Sequence, residues 1–353
     1  MQKTVICSNT LENVMKIAVI GADSLEGREI LNVMEQHSFP KDDVVALDKR
    51  EFVGREISYG EDHVIKVKAY NDFDFKDVFA AVLAVPAAEV KKIASDLSAK
   101  GIYAVDISGA CALEPDVPLL AAGINDEALV KYAKKKIVAA PAFYSLMAAS
   151  VLKPIKDKFG LVRASFVCML GTAALGKEAM DELFHQTKGV YMNEDITHHK
   201  VVYPKQIAFN VVPYLTDIDK FGFLPQEKNL AFEVEKILGG QVKINADMVS
   251  VPTFFGSCAY VNIQTEKDIT VAAAVDALQG AENITVFNST NEEGYATPAE
   301  MAGEDKIFLS RFKKDNSVPN GINLFASMET VRAGIAVNTV KITENLVDKF
   351  AEL

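Results

Sequence analysis

Lys16-Ile17-Ala18-Val19-Ile20-Gly21-Ala22-Asp23-Ser24-Leu25-Glu26-Gly27 is the stretch that decides the fold of this chain. A short apolar run stops at one glycine, and a second follows six residues later at the head of a helical pattern of Ile30, Leu31 and Met34. The stretch reads as strand, tight turn and helix. The first glycine permits the turn, the last lets helix and strand approach, and N–H groups exposed at the helix start favour an anion. Gly21, Asp23, Ser24, Leu25, Glu26 and Gly27 are therefore the candidate nucleotide-binding residues, with NADP or NAD as the cofactor. Ser24 occupies the middle position, where backbone comes nearest to a pyrophosphate, and its hydroxyl is able to donate to a phosphate oxygen. Asp23 and Glu26 repel a phosphate unless they point away. A helix start capped by Asp23 or Ser24 without any ligand is the competing reading. Asp48, at the end of the next strand, suits a ribose 2′-hydroxyl and so NAD, whereas Lys49 and Arg50 beside it suit a 2′-phosphate; both choices stay open.

Further apolar runs able to be strands buried on both faces occur at Val44–Leu47, Ala80–Val85, Tyr103–Ile107 and Ile137–Ala140, with amphipathic segments such as Ala87–Ala99 between them. That alternation predicts an α/β fold, a doubly wound parallel sheet of Rossmann type. After Pro141 the texture changes. Long strands are expected over Leu161–Leu170 and Met248–Gln264 and a helix over Gln226–Leu238, the pattern of an α+β domain on a mixed or antiparallel sheet. From Met328 to Leu353, helix formers with apolar spacing predict a return onto the first domain. The expected division is residues 1–141 with 326–353 for the dinucleotide-binding domain, and 142–325 for the second.

The 353 residues exceed what one core usually serves, and 49% hydrophobic with 24% charged residues is ordinary for a soluble globular protein. The longest apolar stretch, Ile137 to Leu152, is interrupted by Pro141, Tyr144 and Ser145 and reads as core, not as a membrane span. The start of the chain lacks the pattern of a secretory signal, so a cytoplasmic location is expected; residues 1–14, ahead of Met15, read as an extension or a misassigned start. Cys7, Cys111, Cys168 and Cys258 lie far apart, as reduced thiols do, and form neither a disulfide framework nor a zinc site. A net charge of −11 argues against a nucleic-acid partner, and the one basic run, Lys134-Lys135-Lys136, reads as a solvated face. The five histidines, with His198-His199 as a loop pair, offer no metal-ligand spacing.

The chain resembles the aspartate-semialdehyde dehydrogenase family from Met15 nearly to its C-terminus. The resemblance rests on Gly21 to Gly27 with Arg28-Glu29, Ser38-Phe39-Pro40, Asp106 with Pro115-Asp116-Val117-Pro118, and Gln206-Ile207-Ala208-Phe209-Asn210. It continues through Val251-Pro252 with Gly256, Thr297-Pro298, Ser317-Val318-Pro319-Asn320-Gly321, and Arg332 with Gly334 and Asn338. It implies a Rossmann-like domain, a second domain that holds a homodimer together, and NADP-linked oxidation of an aldehyde through a cysteine thioester that phosphate cleaves. In the family the thiol lies in a Pro-Asn-Cys-Ser/Thr motif at a helix start, where the helix dipole lowers its pKa. The matching stretch is Pro141-Ala142-Phe143-Tyr144. A phenyl ring attacks no carbonyl.

The other positions carried over have changed as well. Leu170 aligns with the orienting glutamine, Ser257 with the acid/base histidine, Ser250 with the arginine that clamps the substrate carboxylate, and Ala112 with a phosphate-associated arginine. Glu227 keeps its type, the lysine two residues on is Asn229, the nicotinamide-side asparagine is Thr330, and Val85-Pro86-Ala87-Ala88 replaces a glycine- and serine-rich loop. Loss of a nucleophile and of its base costs factors of about 10² to 10⁴ or more each. The expectation is thus no catalytic residue for this chemistry. It is a non-catalytic, USG-1-like paralogue with a closed pocket at Phe143, acting as a homodimeric nucleotide-binding or interaction protein or as a mixed dimer with an active homologue. The alternative is an NAD(P)-dependent oxidoreductase on an aldehyde or oxo group, either a reductase with altered substrate and Tyr144 or Tyr260 as proton donor or an aspartate-semialdehyde dehydrogenase. Cys168, two residues before Leu170 and on its face, is the candidate for a relocated thiol, whereas Cys258 is expected to face away from Ser257.

Overall fold

The computed structural model describes residues 15–196, 199–213, 218–240, 242–287 and 294–350. Cys7, His198 and the extension read over residues 1–14 lie outside them.

The first half builds β1 (Lys16–Ile20), α1 (Leu25–Gln36), β2 (Val44–Asp48), the β3–β4 hairpin (Glu56–Tyr59, His63–Lys66), β5 (Lys68–Ala69), β6 (Val78–Leu83), α2 (Ala87–Ala99), β7 (Tyr103–Asp106), α3 (Glu127–Tyr132) and β8 (Ile137–Ala139). Six of these strands pair in parallel in the order β5-β2-β1-β6-β7-β8. Ile17, Val19, Ala80, Val82 and Val105 face α1, while Ala18, Ile20, Ala81 and Leu83 face α2. Burial on both faces is why these strands read as unbroken apolar runs.

The second half adds α4 (Phe143–Phe159), β9 (Arg163–Leu170), α5 (Lys177–Met192), α6 (Pro225–Leu238), β10 (Lys243–Ser250), β11 (Gly256–Gln264), α7 (Val271–Leu278), β12 (Ile284–Val286), β13 (Ile307–Asp315) and β14 (Gly321–Glu329). They form a mixed sheet in the order β10-β9-β11-β14-β13-β12, with β10 and β12 parallel to their neighbours and the central pairs antiparallel. The single strand expected over Met248–Gln264 is instead two, β10 and β11, separated by Val251–Phe255. Pro252 has no N–H to continue a ladder, and Gly256 starts β11 where a side chain would run into the Pro298 backbone.

Helix at Met328 was also an expectation that the structure corrects, because β14 runs on to Glu329. The chain then makes one π-helical turn, Arg332–Ala336, before α8 (Val337–Phe350) packs against α1 through Val340, Ile342 and Leu346. The apolar spacing there is common to a buried strand end and to a helix, so periodicity alone did not separate them.

Candidate functional site

The turn after β1 sits where the strand order reverses, between β1 and β6, the position at which open parallel sheets bind their ligands. Gly21 has φ +85°, and a Cβ there would penetrate the Ala84 carbonyl, so only glycine lets this turn lie against the loop after β6. A side chain at Gly27 would likewise strike the Gly21 carbonyl, which makes both glycines packing requirements of the motif. Ser24 is the helix cap: its Oγ accepts from Gly27 N at 2.9 Å and donates to Gly21 O at 2.7 Å. Leu25 and Glu26 occupy the first turn of α1, where N–H groups have no intrahelical acceptor.

The Asp23 side chain is largely buried. Its carboxylate is paired with Arg28 and, at 2.6 Å, with Arg55. The two guanidinium groups offset the repulsion expected from Asp23, while Glu26 stays in the first turn of α1. Asp48 is buried, with one oxygen accepting from Asp23 N at 2.9 Å and the other from Lys49 N at 2.8 Å. Beside it, Lys49 pairs with Glu89 at 2.9 Å and Arg50 with Asp72 at 3.0 Å.

Around the start of α4 the geometry is that of a core. Phe143 is buried, its ring edge-on to Tyr144 at 5.1 Å, and its backbone packs on Gly334 so closely that a Cβ on Gly334 would stand 2.5 Å from the Phe143 Cβ. Leu170, Ser250 and Ser257 are buried too. Ser257 Oγ accepts from Gly171 N at 3.0 Å and lies 2.7 Å from Thr330 Oγ1, so the residues at the histidine and asparagine positions bond to each other across β11 and β14. Glu227, the group that kept its type, receives Leu224 N at 2.9 Å and Met248 N at 3.0 Å and so ties α6 to β10. Lys236 Nζ donates at 2.7 Å to the carbonyls of both Ala112 and Glu114, pinning the segment where the phosphate arginine was expected.

No thiol among the described residues is prepared as a nucleophile. Cys111, Cys168 and Cys258 are buried, and desolvation pushes their pKa up to about 11, about 12 and about 12. Cys168 shares the buried face of β9 with Phe166 and Leu170, and its register partners are Met248 and Ala259. Of the two tyrosines, Tyr144 is buried and its hydroxyl is held far above its ordinary range by burial and by Glu233, while Tyr260 is 49% exposed on the outer face of the second sheet. Tyr144 is not a ready acid. His199 stacks on His185 at 5.2 Å, and among the described residues no group of three His, Cys, Asp or Glu side chains is placed to hold a metal. Lys135 pairs with Asp116, and Lys136 donates to Gly101 O at 2.8 Å. No described helix is long and apolar enough to cross a membrane.

Two polar centres escaped the sequence reading. Glu233 lies in the apolar stripe of α6 with Leu230, Val234 and Ile237, and its carboxylate accepts the Ala142 N–H at 3.0 Å, where α4 begins. Burial raises its pKa. A charged residue on an otherwise apolar helix face was the available signal. Glu329, at the end of β14, accepts from Val331 N at 3.3 Å and from Arg332 N, and burial raises its pKa to about 7, with Glu29 adding to the rise. Arg332 in turn reaches Glu29 at 2.6 Å and Gln36 at 2.5 Å on α1, and Asp305 at 2.6 Å ahead of β13. No local pattern announces that cluster, because its members are separated by nearly the whole chain.

Comparison with known proteins agrees with this architecture. The semialdehyde dehydrogenase NAD-binding domain matches residues 16–132, and the dimerisation domain of the same enzymes matches residues 152–333. The chain belongs to the aspartate-semialdehyde dehydrogenase family. Aspartate-semialdehyde dehydrogenase of Rickettsia bellii is 32% identical over 95% of this chain and 98% of its own length, and that of Aquifex aeolicus is 29% identical over 94% and 98%. Among solved structures, aspartate semialdehyde dehydrogenase II of Vibrio cholerae, complexed with ASA, superposes with a TM-score of 0.91 at 26% identity, covering 95% of this chain and 99% of that one. Membership in the family thus extends over both domains, and the changed residues lie inside a preserved frame.

Proposed function

We propose that this chain is an NAD(P)-binding, homodimeric member of its family that does not oxidise aldehydes through a thiol. The observation that carries the reading is Phe143, buried at the start of α4 and packed on Gly334, where the family resemblance places the nucleophile. The raised pKa values of the three described thiols and the Ser257–Thr330 bond support it. Gly21, Asp23, Ser24, Leu25, Glu26 and Gly27 form the phosphate turn, in which the Asp23 carboxylate is already paired with Arg28 and Arg55. A bound nicotinamide would supply hydride exchange; the chain supplies the turn, the helix start and an apolar neighbourhood.

The test is to mix the purified protein with aspartate semialdehyde, phosphate and either dinucleotide, following nicotinamide absorbance and intact mass. No turnover and no adduct are expected, together with saturable dinucleotide binding below roughly 100 μM, about −5.5 kcal/mol. Turnover lost on Cys168→Ala, or an adduct on any thiol, would overturn the reading.

The similarity to aspartate-semialdehyde dehydrogenases over both domains favours a second reading, an NAD(P)-dependent oxidoreductase on an aldehyde or oxo group, either an aspartate-semialdehyde dehydrogenase or a reductase with altered substrate. Hydride transfer requires a positioned carbonyl and a proton donor; Glu329, a buried carboxyl with its pKa raised to about 7, precedes Thr330, which the resemblance puts on the nicotinamide side. Substrate-dependent oxidation of the reduced dinucleotide that is abolished by Glu329→Gln would select it. Co-purification with an active homologue would instead select a mixed dimer.

A further inference from the structure

The arrangement at the end of β2 also distinguishes between the two dinucleotides. Asp48 is buried and held from two sides by the N–H groups of Asp23 and Lys49, so its carboxylate cannot swing away. It stands beside the phosphate turn, at the strand end where a Rossmann-type fold meets the adenosine ribose. The cations around it are committed elsewhere: Lys49 to Glu89, Arg50 to Asp72, Arg28 and Arg55 to Asp23, while Lys68 on the adjoining β5 lies over the Phe73 ring at 5.8 Å. A 2′-phosphate would meet a fixed negative charge among cations already paired with carboxylates, with Lys68 resting on a neutral ring, whereas a 2′-hydroxyl would meet an acceptor with lone pairs to spare.

Resting on the reading of this cleft as a dinucleotide site, we infer that the chain selects NAD(H) over NADP(H), with Asp48 as the residue that sets the choice and the Lys49–Glu89 pair as its support. Calorimetric titration of the full chain with NAD⁺ and NADP⁺ at one ionic strength tests it. NAD⁺ should bind at least about tenfold more tightly, as expected for a like charge placed beside a phosphate. Asp48→Ser should bring the two affinities to within about threefold, and Glu89→Gln, which frees the Lys49 ammonium, should strengthen NADP⁺ alone.

Equal or tighter binding of NADP⁺ by the unaltered protein would overturn the inference. So would an unchanged ratio in Asp48→Ser that is folded by circular dichroism. If that variant does not fold, Glu89→Gln decides, and an unchanged ratio there is equally fatal. Saturable binding of neither dinucleotide removes the nucleotide site itself, a failure distinct from the wrong choice between two ligands.

Discussion

Phe143 puts a buried aromatic ring at the start of α4, where the family resemblance places a thiol. A helix start concentrates positive potential, which would lower a thiol's pKa; a neutral ring at that place makes no use of it and fills space instead. Restoring sulfur alone should therefore restore nothing, since Leu170, Ser250, Ser257 and Ala112 stand where the remaining polar groups would act. Phe143→Cys is expected to leave aldehyde oxidation at background. It should also lower the unfolding free energy by about 2 to 4 kcal/mol in urea titration, because a buried aromatic is exchanged for a small side chain. The native thiols give a second expectation at this scale. With pKa values of about 11 to about 12, Cys111, Cys168 and Cys258 stay protonated through neutral and mildly alkaline pH. A Cys7→Ser variant should thus show almost no labelling by a disulfide reagent from pH 7 to 9 until denaturant is added, and rapid labelling of native protein at pH 8 would contradict the burial.

Between elements, the turn from β14 into α8 carries one source of pH sensitivity, beside the raised carboxyl of Glu233. Glu329 has its pKa raised to about 7 in the fold, above the ordinary 4.5. The unfolded chain therefore ionises first as pH rises, and the fold loses relative stability from about pH 4.5 until it has ionised too, near pH 7. The full difference is at most about 3 kcal/mol, present at acid pH and absent above neutrality. Glu329→Gln should flatten the stability profile between pH 5 and 8 and gain most at pH 8, measured by urea midpoints at each pH. Glu29 and Arg332 face the same carboxyl, so a Glu29→Gln change should lower the Glu329 midpoint. The helix α1 was readable from Ser24 and the spacing of Ile30, Leu31 and Met34 because capping and amphipathicity are local. The Glu329–Arg332–Glu29–Asp305 cluster was not, since it exists only when β14, α1 and the approach to β13 meet.

For the molecule as a whole, the second domain's sheet keeps one face in its core and leaves Val167 and Tyr260 exposed on the other, with Phe325 packed beside Tyr260 at 5.1 Å. An apolar sheet face of this kind suits a partner subunit, in accord with the dimerisation domain that spans it. The double substitution Val167→Asp and Tyr260→Asp should convert a dimer to a monomer in analytical ultracentrifugation at micromolar protein, with little change in the monomer's circular dichroism; an unaltered dimer would place the interface elsewhere. The parallel sheet and the turn after β1 were set by local rules of burial and chain reversal, so residues near in sequence sufficed to read them. The break between β10 and β11, the pairing of the Asp23 carboxylate and the partners of Asp48 were settled by groups distant in the chain. By itself, then, the sequence determined the two-domain α/β frame and the replacement of the thiol, because side-chain identity and periodicity are properties of the chain. Only the tertiary structure decided which charges are already paired, which thiols are desolvated and how the two domains are tied together, because pairing and desolvation depend on what packing brings within a few ångströms.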